Sequence, residues 1–305
     1  MNEPLLRTHN LTKIYGHQKA VDQVSIHINK GAIYGFIGRN GAGKTSFLRM
    51  IGGLSKPTSG EISLFGYSGN DLVKVRSRVG CLIESPGIYP NMSAYENLKV
   101  KCIMLGIHKE GYIEELLDIV GLSDVGKKKT RNYSLGMKQR LGIALALVGE
   151  PDLLVLDEPI NGLDPQGIME VRETILRLNQ ERNITIIISS HILEELSKIA
   201  THYGIIHQGS MLQELTKEEL LQRCSERIEI VLDNPEKACT ILDRLGFVNY
   251  QMVDKEKIYV FERLDDSPLL NMELAKEGIM VKSIGIVNEE LENYFLQLTG
   301  GGQHV

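Results

Sequence analysis

The sequence predicts an α/β fold with helices packed on a mainly parallel sheet, followed by a small α+β domain. Strand-like and helix-like runs alternate from about residue 5 to residue 210, a pattern typical of helices that cover a parallel sheet. Residues 153–156 are all apolar, and residues 185–188 include three consecutive isoleucines. Such runs indicate buried strands. A glycine-rich loop separates another strand, at 32–37, from a helix that begins at Ser46.

The remaining elements of the first part follow from simple patterns. Residues 24–28 alternate between apolar and polar types, which predicts a strand. Proline and glycine between residues 57 and 69 indicate turns. Helices are predicted at 95–104, 112–120 and 141–148.

The character of the sequence changes near Arg223. We predict two domains, a large α/β domain at 5–223 and a small α+β accessory domain at 224–305. In the second domain strands are predicted at 227–232, 257–261 and 279–286, and helices at 235–245, 268–276 and 289–298. It has no catalytic group of residues of its own, so we favour a dimerisation or stability module over a ligand sensor.

Composition and charge argue against two classes of protein. The net charge is −5 and the isoelectric point is about 6.0, whereas a nucleic-acid-binding surface needs a basic face. We therefore expect no nucleic-acid partner. No apolar run approaches the roughly 18 residues that span a bilayer, and the run at 143–148 is far too short. If the protein acts at a membrane, we expect it to do so through a partner protein.

A glycine-rich segment carries a specific chemical signal. Its residues are Gly38, Arg39, Asn40, Gly41, Ala42, Gly43, Lys44 and Thr45, and they match the pattern G-x-x-x-x-G-K-[ST]. Glycines let backbone N–H groups turn inward around phosphates, in conformations that a Cβ would block. The helix that begins at Ser46 adds an N-terminus that favours an anion. The segment therefore predicts a phosphate cradle, with Lys44 as a point charge for the outer phosphates.

Two adjacent carboxylates, Asp157 and Glu158, follow the apolar run 153–156. A buried strand delivers the carboxylates at its end into the interior of a cleft. There Asp157 can hold a hydrated Mg²⁺ together with the Thr45 hydroxyl, and Glu158 can polarise a water molecule. Combined with the cradle, this pair predicts cleavage of a phosphate group as well as its binding.

A third motif lies between the cradle and the carboxylates. Residues 132–140 read Asn-Tyr-Ser-Leu-Gly-Met-Lys-Gln-Arg and open a predicted helix. By itself, Ser-x-Gly before a helix is more often a helix N-cap. In this order along the chain, the segment resembles the signature loop of ATP-binding cassette (ABC) ATPases, usually written L-S-G-G-Q. The resemblance covers residues 5 to about 225. It implies a P-loop NTPase with a RecA-like core and a helical subdomain, which hydrolyses ATP with Mg²⁺.

The same resemblance implies roles for further residues. Tyr15 matches the aromatic residue that stacks on adenine. Glu158 matches the general base or water polariser. Residues 161–164, ending in Asp164, match the loop that follows the catalytic glutamate. His191 matches the switch histidine that contacts and senses the γ-phosphate.

In this family two cassettes face each other head to tail, and the signature loop of one closes on the ATP held by the other. Ser134, Gly136 and Met137 are therefore expected to contact the ATP of a second cassette, in a homodimer or with a close paralogue. Leu135 stands where the family pattern has glycine, so the closest backbone approach is expected at Gly136. Met137 stands where the family pattern has glutamine, so a side-chain amide is missing there. These variants resemble a branch of exporter cassettes.

Glu84 is the most discriminating departure from the family pattern, which normally has glutamine there. That position touches Mg²⁺ and the attacking water and couples to the membrane partner. We therefore include Glu84 in both the catalytic and the metal-binding set. A carboxylate binds a hard cation more strongly than an amide does. The plainer alternative is a solvated surface glutamate.

Glu84, residues 88–98 and residues 291–300 together resemble cassettes of bacitracin-resistance and lantibiotic-immunity exporters. This resemblance implies a membrane-spanning permease partner that holds the chain at the cytoplasmic face of a bacterial membrane. One alternative is a peptide-sensing complex that signals to a two-component system, and another is export of a different substrate. A soluble cassette acting on ribosomes or DNA is less consistent with a single cradle and an acidic chain.

Overall fold

The computed structural model describes residues 4–224, 226–287 and 291–299. Its internal contacts fall into two units, the first ending at Lys217 and the second beginning at Glu218. The domain boundary expected from the sequence lies a few residues further along. The division into a cassette and an accessory domain stays a prediction.

The first unit contains two sheets and the helices around them. Its strands are β1 Leu6–Tyr15, β2 Gln18–Val24, β3 His27–Ile28, β4 Ile33–Ile37, β5 Ser59–Leu64, β6 Tyr67–Ser68, β7 Val79–Leu82, β8 Leu153–Asp157, β9 Thr185–Ser190, β10 His202–His207 and β11 Ser210–Thr216. Its helices are α1 Lys44–Ile51, α2 Ala94–Met104, α3 Tyr112–Ile119, α4 Leu135–Leu147, α5 Pro165–Arg182 and α6 Leu193–Ser197, and α7 Lys217–Arg223 follows β11.

The larger sheet is mainly parallel. Its strand order is β11-β10-β4-β9-β8-β7, and all neighbours are parallel except the edge strand β11, which runs antiparallel to β10. Every residue of β4, β8 and β9 is buried, as the apolar runs indicated. The predicted α/β fold is confirmed.

Parallel pairing also aligns the ends of the central strands. Ile37 pairs with Ser190, and Asp157 pairs with Ser189. Because the carboxyl ends of parallel strands meet at one edge of a sheet, the loop after β4, the end of β8 and the end of β9 lie next to one another. This edge is where the predicted cradle and carboxylates meet.

The smaller sheet is antiparallel, with the order β2-β1-β5-β6 and with β3 paired to β1. The single strand expected at 24–28 is wrong, because β2 ends at Val24 and β3 spans only His27–Ile28. Both strands pair with β1, on either side of Asn10. Asn10 has a φ of 47°, an uncommon conformation for a residue with a side chain, and it lies in β1 between the residues that pair with β3 and those that pair with β2.

One apolar core connects both sheets with α1. Leu6 and Leu64 from the antiparallel sheet, Phe36 and Val155 from the parallel sheet, and Phe47 from α1 belong to the same buried cluster. The rings of Phe36 and Phe47 stack with centroids 4.8 Å apart. This packing fixes α1 against β4 and so sets the position of the loop between them.

Helices α2, α3 and α4 form the insertion between β7 and β8. Helix α2 begins with a capping box, in which the Ser93 hydroxyl accepts a bond from the Glu96 N–H at 3.2 Å and the Glu96 carboxylate accepts one from the Ser93 N–H at 2.6 Å. The ammonium group of Lys129 lies 3.1 Å from the Glu96 carboxylate. The helix expected at 141–148 begins earlier, at Leu135.

The second unit is a small α+β fold, as expected. Its elements are β12 Arg227–Leu232, α8 Pro235–Arg244, β13 Tyr250–Met252, β14 Lys257–Val260, α9 Ser267–Lys276, β15 Val281–Val287 and α10 Leu291–Leu298. The antiparallel sheet has the order β13-β14-β12-β15. Ile230, Leu242 and Leu274 are among the residues of its own buried core. The short strand β13 was not predicted, and residues 289 and 290 of the last predicted helix lie outside the described residues.

Across the three described segments, no helix combines the length and the apolar character needed to cross a bilayer.

The capping box predicts a pH dependence for the start of α2. The pKa of Glu96 is lowered from 4.5 to about 2, first because its carboxylate accepts the Ser93 N–H and then because it bonds Lys129. A lowered folded-state pKa stabilises above the unfolded pKa, and that contribution is lost as the pH falls through the folded value. We expect protection of the first turn of α2 to decline between pH 4.5 and about 2.

Hydrogen exchange read by mass spectrometry at several pH values measures this effect. Glu96→Gln keeps an oxygen that can accept the Ser93 N–H but loses the charge, so it is expected to show weaker protection at neutral pH and a flatter pH dependence in the acid range. Glu114→Gln, in the first turn of α3, is the matched control. Equal pH profiles for the wild type and Glu96→Gln at α2 would contradict the interpretation.

Candidate nucleotide site

The predicted cradle forms the turn between β4 and α1, and its glycines meet a steric requirement. Gly43 has a φ of 107°, which L side chains rarely adopt. A Cβ at Gly43 would overlap the carbonyl oxygen of Ala20, and one at Gly38 would lie 2.7 Å from the carbonyl oxygen of Ile206. Neighbouring backbone therefore leaves no room for larger residues at these two positions.

A cavity of about 550 Å³ adjoins this turn. Predicted residues that line it are Tyr15, Asn40, Gly41, Gly43, Lys44, Thr45, Ser46 and Glu158. Lining residues that the sequence did not indicate include Gln18, Lys19 and Gln208. They lie in β2 and in the turn between β10 and β11, far from any motif, so only the fold brings them here. Arg39 and Ala42 shape the turn through their backbone, since the Ala42 N–H donates to the Arg39 carbonyl at 3.0 Å.

Lys44 is almost completely buried and is held by oxygen atoms. Its side chain is 6% exposed. The ammonium group donates to the carbonyl of Gly38 at 2.6 Å and to that of Arg39 at 3.3 Å, and it lies 3.0 Å from Oε1 of Glu158. A buried charge needs such partners. The site therefore contains a cation that already points at the cradle.

Asp157 is fixed by hydroxyl groups from two other elements. The Thr45 hydroxyl donates to Oδ2 at 2.7 Å, and the Ser189 hydroxyl donates to Oδ1 at 2.6 Å. Ser189 also accepts the backbone N–H of Glu158 at 2.9 Å. Sequence reasoning assigned no role to Ser189, although its place directly after the run 185–188 was a usable signal. The bond from Thr45 joins the end of the cradle directly to the first residue of the carboxylate pair.

Glu158 lies between two basic groups. One carboxylate oxygen faces Lys44, and the other lies 2.8 Å from Nδ1 of His191. Glu158 has a φ of 50°, an uncommon conformation for a residue with a side chain. His191, which follows β9, therefore contacts the predicted catalytic carboxylate directly. The structure brings all three residues together, and Lys44 and Glu158 line the cavity.

Tyr15 presents an exposed ring at the rim of the cavity. The residue is 45% exposed, and the Lys13 ammonium lies 5.0 Å from its ring centroid. A hydrogen bond from Ser55 is the largest influence on its hydroxyl and lowers its pKa, with a smaller contribution from Ser46. An accessible ring in this position is suited to stacking against a base.

The signature segment is separate from this cavity. Ser134 is the N-cap of α4, and its hydroxyl accepts the Met137 N–H at 3.2 Å. Gly136 is buried against Gly167 of α5, whereas Ser134 and Leu135 are exposed. Neither Ser134, Gly136 nor Met137 lines the nucleotide cavity. The N-cap interpretation is thus correct as local structure, and the helix N-terminus remains open to a group from outside the chain.

Asp164 is also a helix cap. Its carboxylate accepts the Gly167 N–H at 3.1 Å at the start of α5. Asn161, three residues earlier in the same loop, lines the cavity, whereas Asp164 does not. A contact between Asp164 and nucleotide stays a prediction.

Glu84 is not in contact with Thr45 or Asp157 in this structure. Its side chain is 58% exposed, and its Oε1 lies 2.7 Å from Nη2 of Arg49. Sequence reasoning did not identify Arg49 as a partner. The direct role of Glu84 at a metal ion stays a prediction.

The oxygen atoms of Thr45 and Asp157 are the ligand type that Mg²⁺ prefers. Within the described part of the chain, no three or more His, Cys, Asp or Glu side chains gather into a metal-binding group. Mg²⁺ commonly keeps several waters and takes only one or two protein ligands together with substrate phosphates. The pair beside the cradle is therefore compatible with a magnesium nucleotide.

Comparisons with known sequences point to one family. The model of the ABC transporter family matches residues 21–161. The bacitracin transport ATP-binding protein BcrA of Bacillus licheniformis is 45% identical over 300 residues, which cover 98% of this chain and 98% of that protein. The lantibiotic transport ATP-binding protein SrtF of Streptococcus pyogenes is 46% identical over 212 residues, or 69% of this chain and 90% of that protein.

Solved structures agree with the sequence comparisons. MJ1267, an ATP-binding cassette of an ABC transporter in its ADP conformation, has a TM-score of 0.65 and 26% identity, covering 72% of this chain and 93% of its own. The dimeric post-hydrolysis state of the cassette MJ0796, bound to ADP and Pi, has a TM-score of 0.63 and 25% identity, covering 70% and 98%. With the cradle, the carboxylate pair and the signature loop in this order on this fold, the chain belongs to the ABC transporter family as an ATP-binding subunit that hydrolyses ATP.

Proposed function

We propose that this chain drives an export complex that removes peptide antibiotics of the bacitracin or lantibiotic type and so confers resistance or immunity. The observation that carries the proposal is the 45% identity to a bacitracin transport ATP-binding protein over 98% of both chains. That similarity includes the second unit, whereas the cassettes MJ1267 and MJ0796 cover only 72% and 70% of this chain. Full-length similarity is more specific than a shared cassette.

The proposed complex needs two kinds of partner. Transport across a bilayer requires a membrane-spanning permease, which would hold this chain at the cytoplasmic face of the membrane. The second partner is another cassette, either a copy of this chain or a close paralogue. The dimeric form of MJ0796 supports this expectation, and so does the exposed Ser134, which lies outside the cavity of its own chain.

Within the nucleotide site, Lys44 and the turn from Gly38 to Gly43 would bind the phosphates. The Lys44 ammonium is already held by the carbonyl groups of Gly38 and Arg39, so little side-chain entropy is lost when phosphate binds. The γ-phosphate would compete with Glu158 for this cation. We infer that nucleotide binding releases the carboxylate of Glu158 from Lys44.

Thr45 and Asp157 would hold Mg²⁺, with Glu84 as a further candidate. The ion would neutralise charge that develops on the phosphate oxygens. The chain's own contribution is orientation, because Ser189 fixes the second oxygen of Asp157 and the N–H of Glu158. The two carboxylates therefore keep a constant relation to each other.

Glu158 would act as the general base or water polariser. His191 is 2.8 Å from its carboxylate, close enough to orient it and to move with it when the γ-phosphate binds. The site around an ATP bound by one chain would be completed by the second cassette. Its Ser134, Gly136 and Met137 lie at a helix N-terminus, which offers N–H groups to an anion.

Substitution of the base separates binding from hydrolysis. Glu158→Gln keeps the shape of the side chain and removes its charge, so ATP should still bind and hold two chains together. We expect hydrolysis to fall by at least about a hundredfold, the usual contribution of a positioned acid or base. Phosphate release and size-exclusion chromatography with ATP measure the two effects.

The matched control is Glu173→Gln, because Glu173 is an exposed carboxylate on α5 away from the cavity. It should hydrolyse ATP at the wild-type rate. Near-wild-type hydrolysis by Glu158→Gln would overturn the assignment of the base.

Mixing two inactive chains tests the composite site. Lys44→Ala damages the cradle, and Ser134→Arg blocks the N-terminus of α4. A mixed dimer then contains one intact cradle facing one intact signature loop, so partial hydrolysis should return on mixing. If the mixture stays as inactive as its parts while both chains still fold and bind each other, a site confined to one chain is indicated.

Peptide specificity is tested on the complete complex. We expect the chain to co-purify with a permease, and ATP hydrolysis by the reconstituted complex to rise severalfold with bacitracin or a lantibiotic, above the effect of an unrelated cationic peptide. Cells that produce the complex should tolerate more antibiotic, and Glu158→Gln should abolish the difference. Unchanged tolerance together with altered two-component signalling would identify a sensor instead.

A further inference from the structure

Glu84 lies in a strained turn just beyond β7. Its φ is 66°, and the Ser85 N–H donates to the Ile83 carbonyl at 3.0 Å, which closes a three-residue turn with Glu84 at its centre. Three-residue turns with a positive φ at the central residue are rare when that residue has a side chain. A conformation of this kind persists only where the surroundings hold it, and it fixes the direction in which the side chain leaves the backbone.

The register of the sheet places Glu84 beside the carboxylate pair. Leu82 of β7 pairs with Leu156 of β8, so Glu84 and Glu158 each lie two residues after a member of this pair, just beyond the ends of β7 and β8. Both residues have positive φ angles. Neighbouring strands lie about 4.8 Å apart. The parallel sheet therefore brings a third carboxylate to the edge that already has Asp157 and Glu158.

Arg49 reaches Glu84 from the helix that opens the cradle. It lies on α1, four residues after Thr45, and residues at this spacing share one face of a helix. Nη2 of Arg49 lies 2.7 Å from Oε1 of Glu84. Thr45 meanwhile bonds Asp157 at 2.7 Å. One face of α1 thus contacts the chain after β7 and the end of β8.

The contact between Arg49 and Glu84 offsets the negative charge of the glutamate. A glutamine at this position would carry no charge, whereas Glu84 adds a negative charge just beyond β7, the strand that pairs with the one ending in Asp157. Repulsion between like charges at short range is substantial near a protein surface. Arg49 supplies a neutralising charge within the same site. Because both side chains are partly exposed, at 39% and 58%, the pair contributes little to folding stability.

We propose that Arg49 is a positioning residue that neutralises Glu84 and holds its carboxylate at the rim of the nucleotide site. With this partner, the chain carries a glutamate at that position and keeps its affinity for nucleotide. Without the partner, the free carboxylate repels the phosphates. The inference rests on the proposed nucleotide site of Lys44, Thr45 and Asp157.

A double-mutant cycle tests the pair. Isothermal titration measures the affinity of the full chain for a slowly hydrolysed ATP analogue, with Mg²⁺ and with EDTA, for the wild type, Arg49→Met, Glu84→Gln and the double variant. We expect Arg49→Met to weaken binding by about tenfold, within the range of coupling between contacting residues. The same change in the Glu84→Gln chain should cost less than about twofold, because an amide needs no cation.

Two further variants separate charge from shape. Arg49→Lys keeps the charge, and since the contact involves a single Nη2–Oε1 pair, it should bind nearly as well as the wild type. Arg244→Met is the matched control, because it breaks the exposed Arg244–Glu277 pair at 2.8 Å, far along the chain from the cradle. Its affinity should not change, and the melting temperatures of all variants should agree closely.

Equal losses from Arg49→Met in the wild-type chain and in the Glu84→Gln chain would overturn the inference. If Arg49→Met does not fold, the double variant Arg49→Gln/Glu84→Gln is compared with Glu84→Gln alone. Equal nucleotide affinity of these two chains supports the proposal, and a tenfold loss in the double variant contradicts it. A wild-type chain that binds no analogue would refute the nucleotide site itself. Binding and hydrolysis by the wild type together with additive losses would refute only the role of Arg49.

Discussion

The parallel pairing of β4, β9 and β8 is the constraint on which the site depends. Ile37 pairs with Ser190, and Ser189 pairs with Asp157, so the cradle turn, the polar end of β9 and the carboxylates share one edge of the sheet. A shift of one residue in this register would turn every side chain to the other face. The buried apolar residues of these strands therefore position the chemistry as well as stabilise the fold.

Charged side chains at this edge of the sheet compensate one another. Lys44 is 6% exposed and has Glu158 as its only ion-pair partner among the described residues, and Glu158 in turn contacts His191. A buried cation and a carboxylate satisfy each other at a cost in desolvation. A phosphate group can take the place of Glu158 at Lys44 without leaving that cation unpaired.

Local motifs predicted the fold class and much of the site, because the cradle, the carboxylate pair and the signature loop each lie within a few consecutive residues. Contacts between distant segments were not predictable in this way. Ser189 bonds Asp157 across 32 positions, and Arg49 meets Glu84 across 35. The break between Val24 and His27 was missed for the same reason, since it accompanies the change of pairing around Asn10 of β1, which lies more than ten positions away in the sequence.

Leu135, which departs from the signature pattern, lies close to a glycine in a distant loop. Leucine in place of glycine adds bulk to the signature segment, and its Cδ2 lies 3.5 Å from where a Cβ of Gly162 would be. Gly162 has a φ of 73° and belongs to the loop that follows Glu158. The side chain of Leu135 therefore lies against that loop, while Ser134 and the backbone at Gly136 keep their places at the start of α4. This contact joins the loop that follows Glu158 to the start of α4.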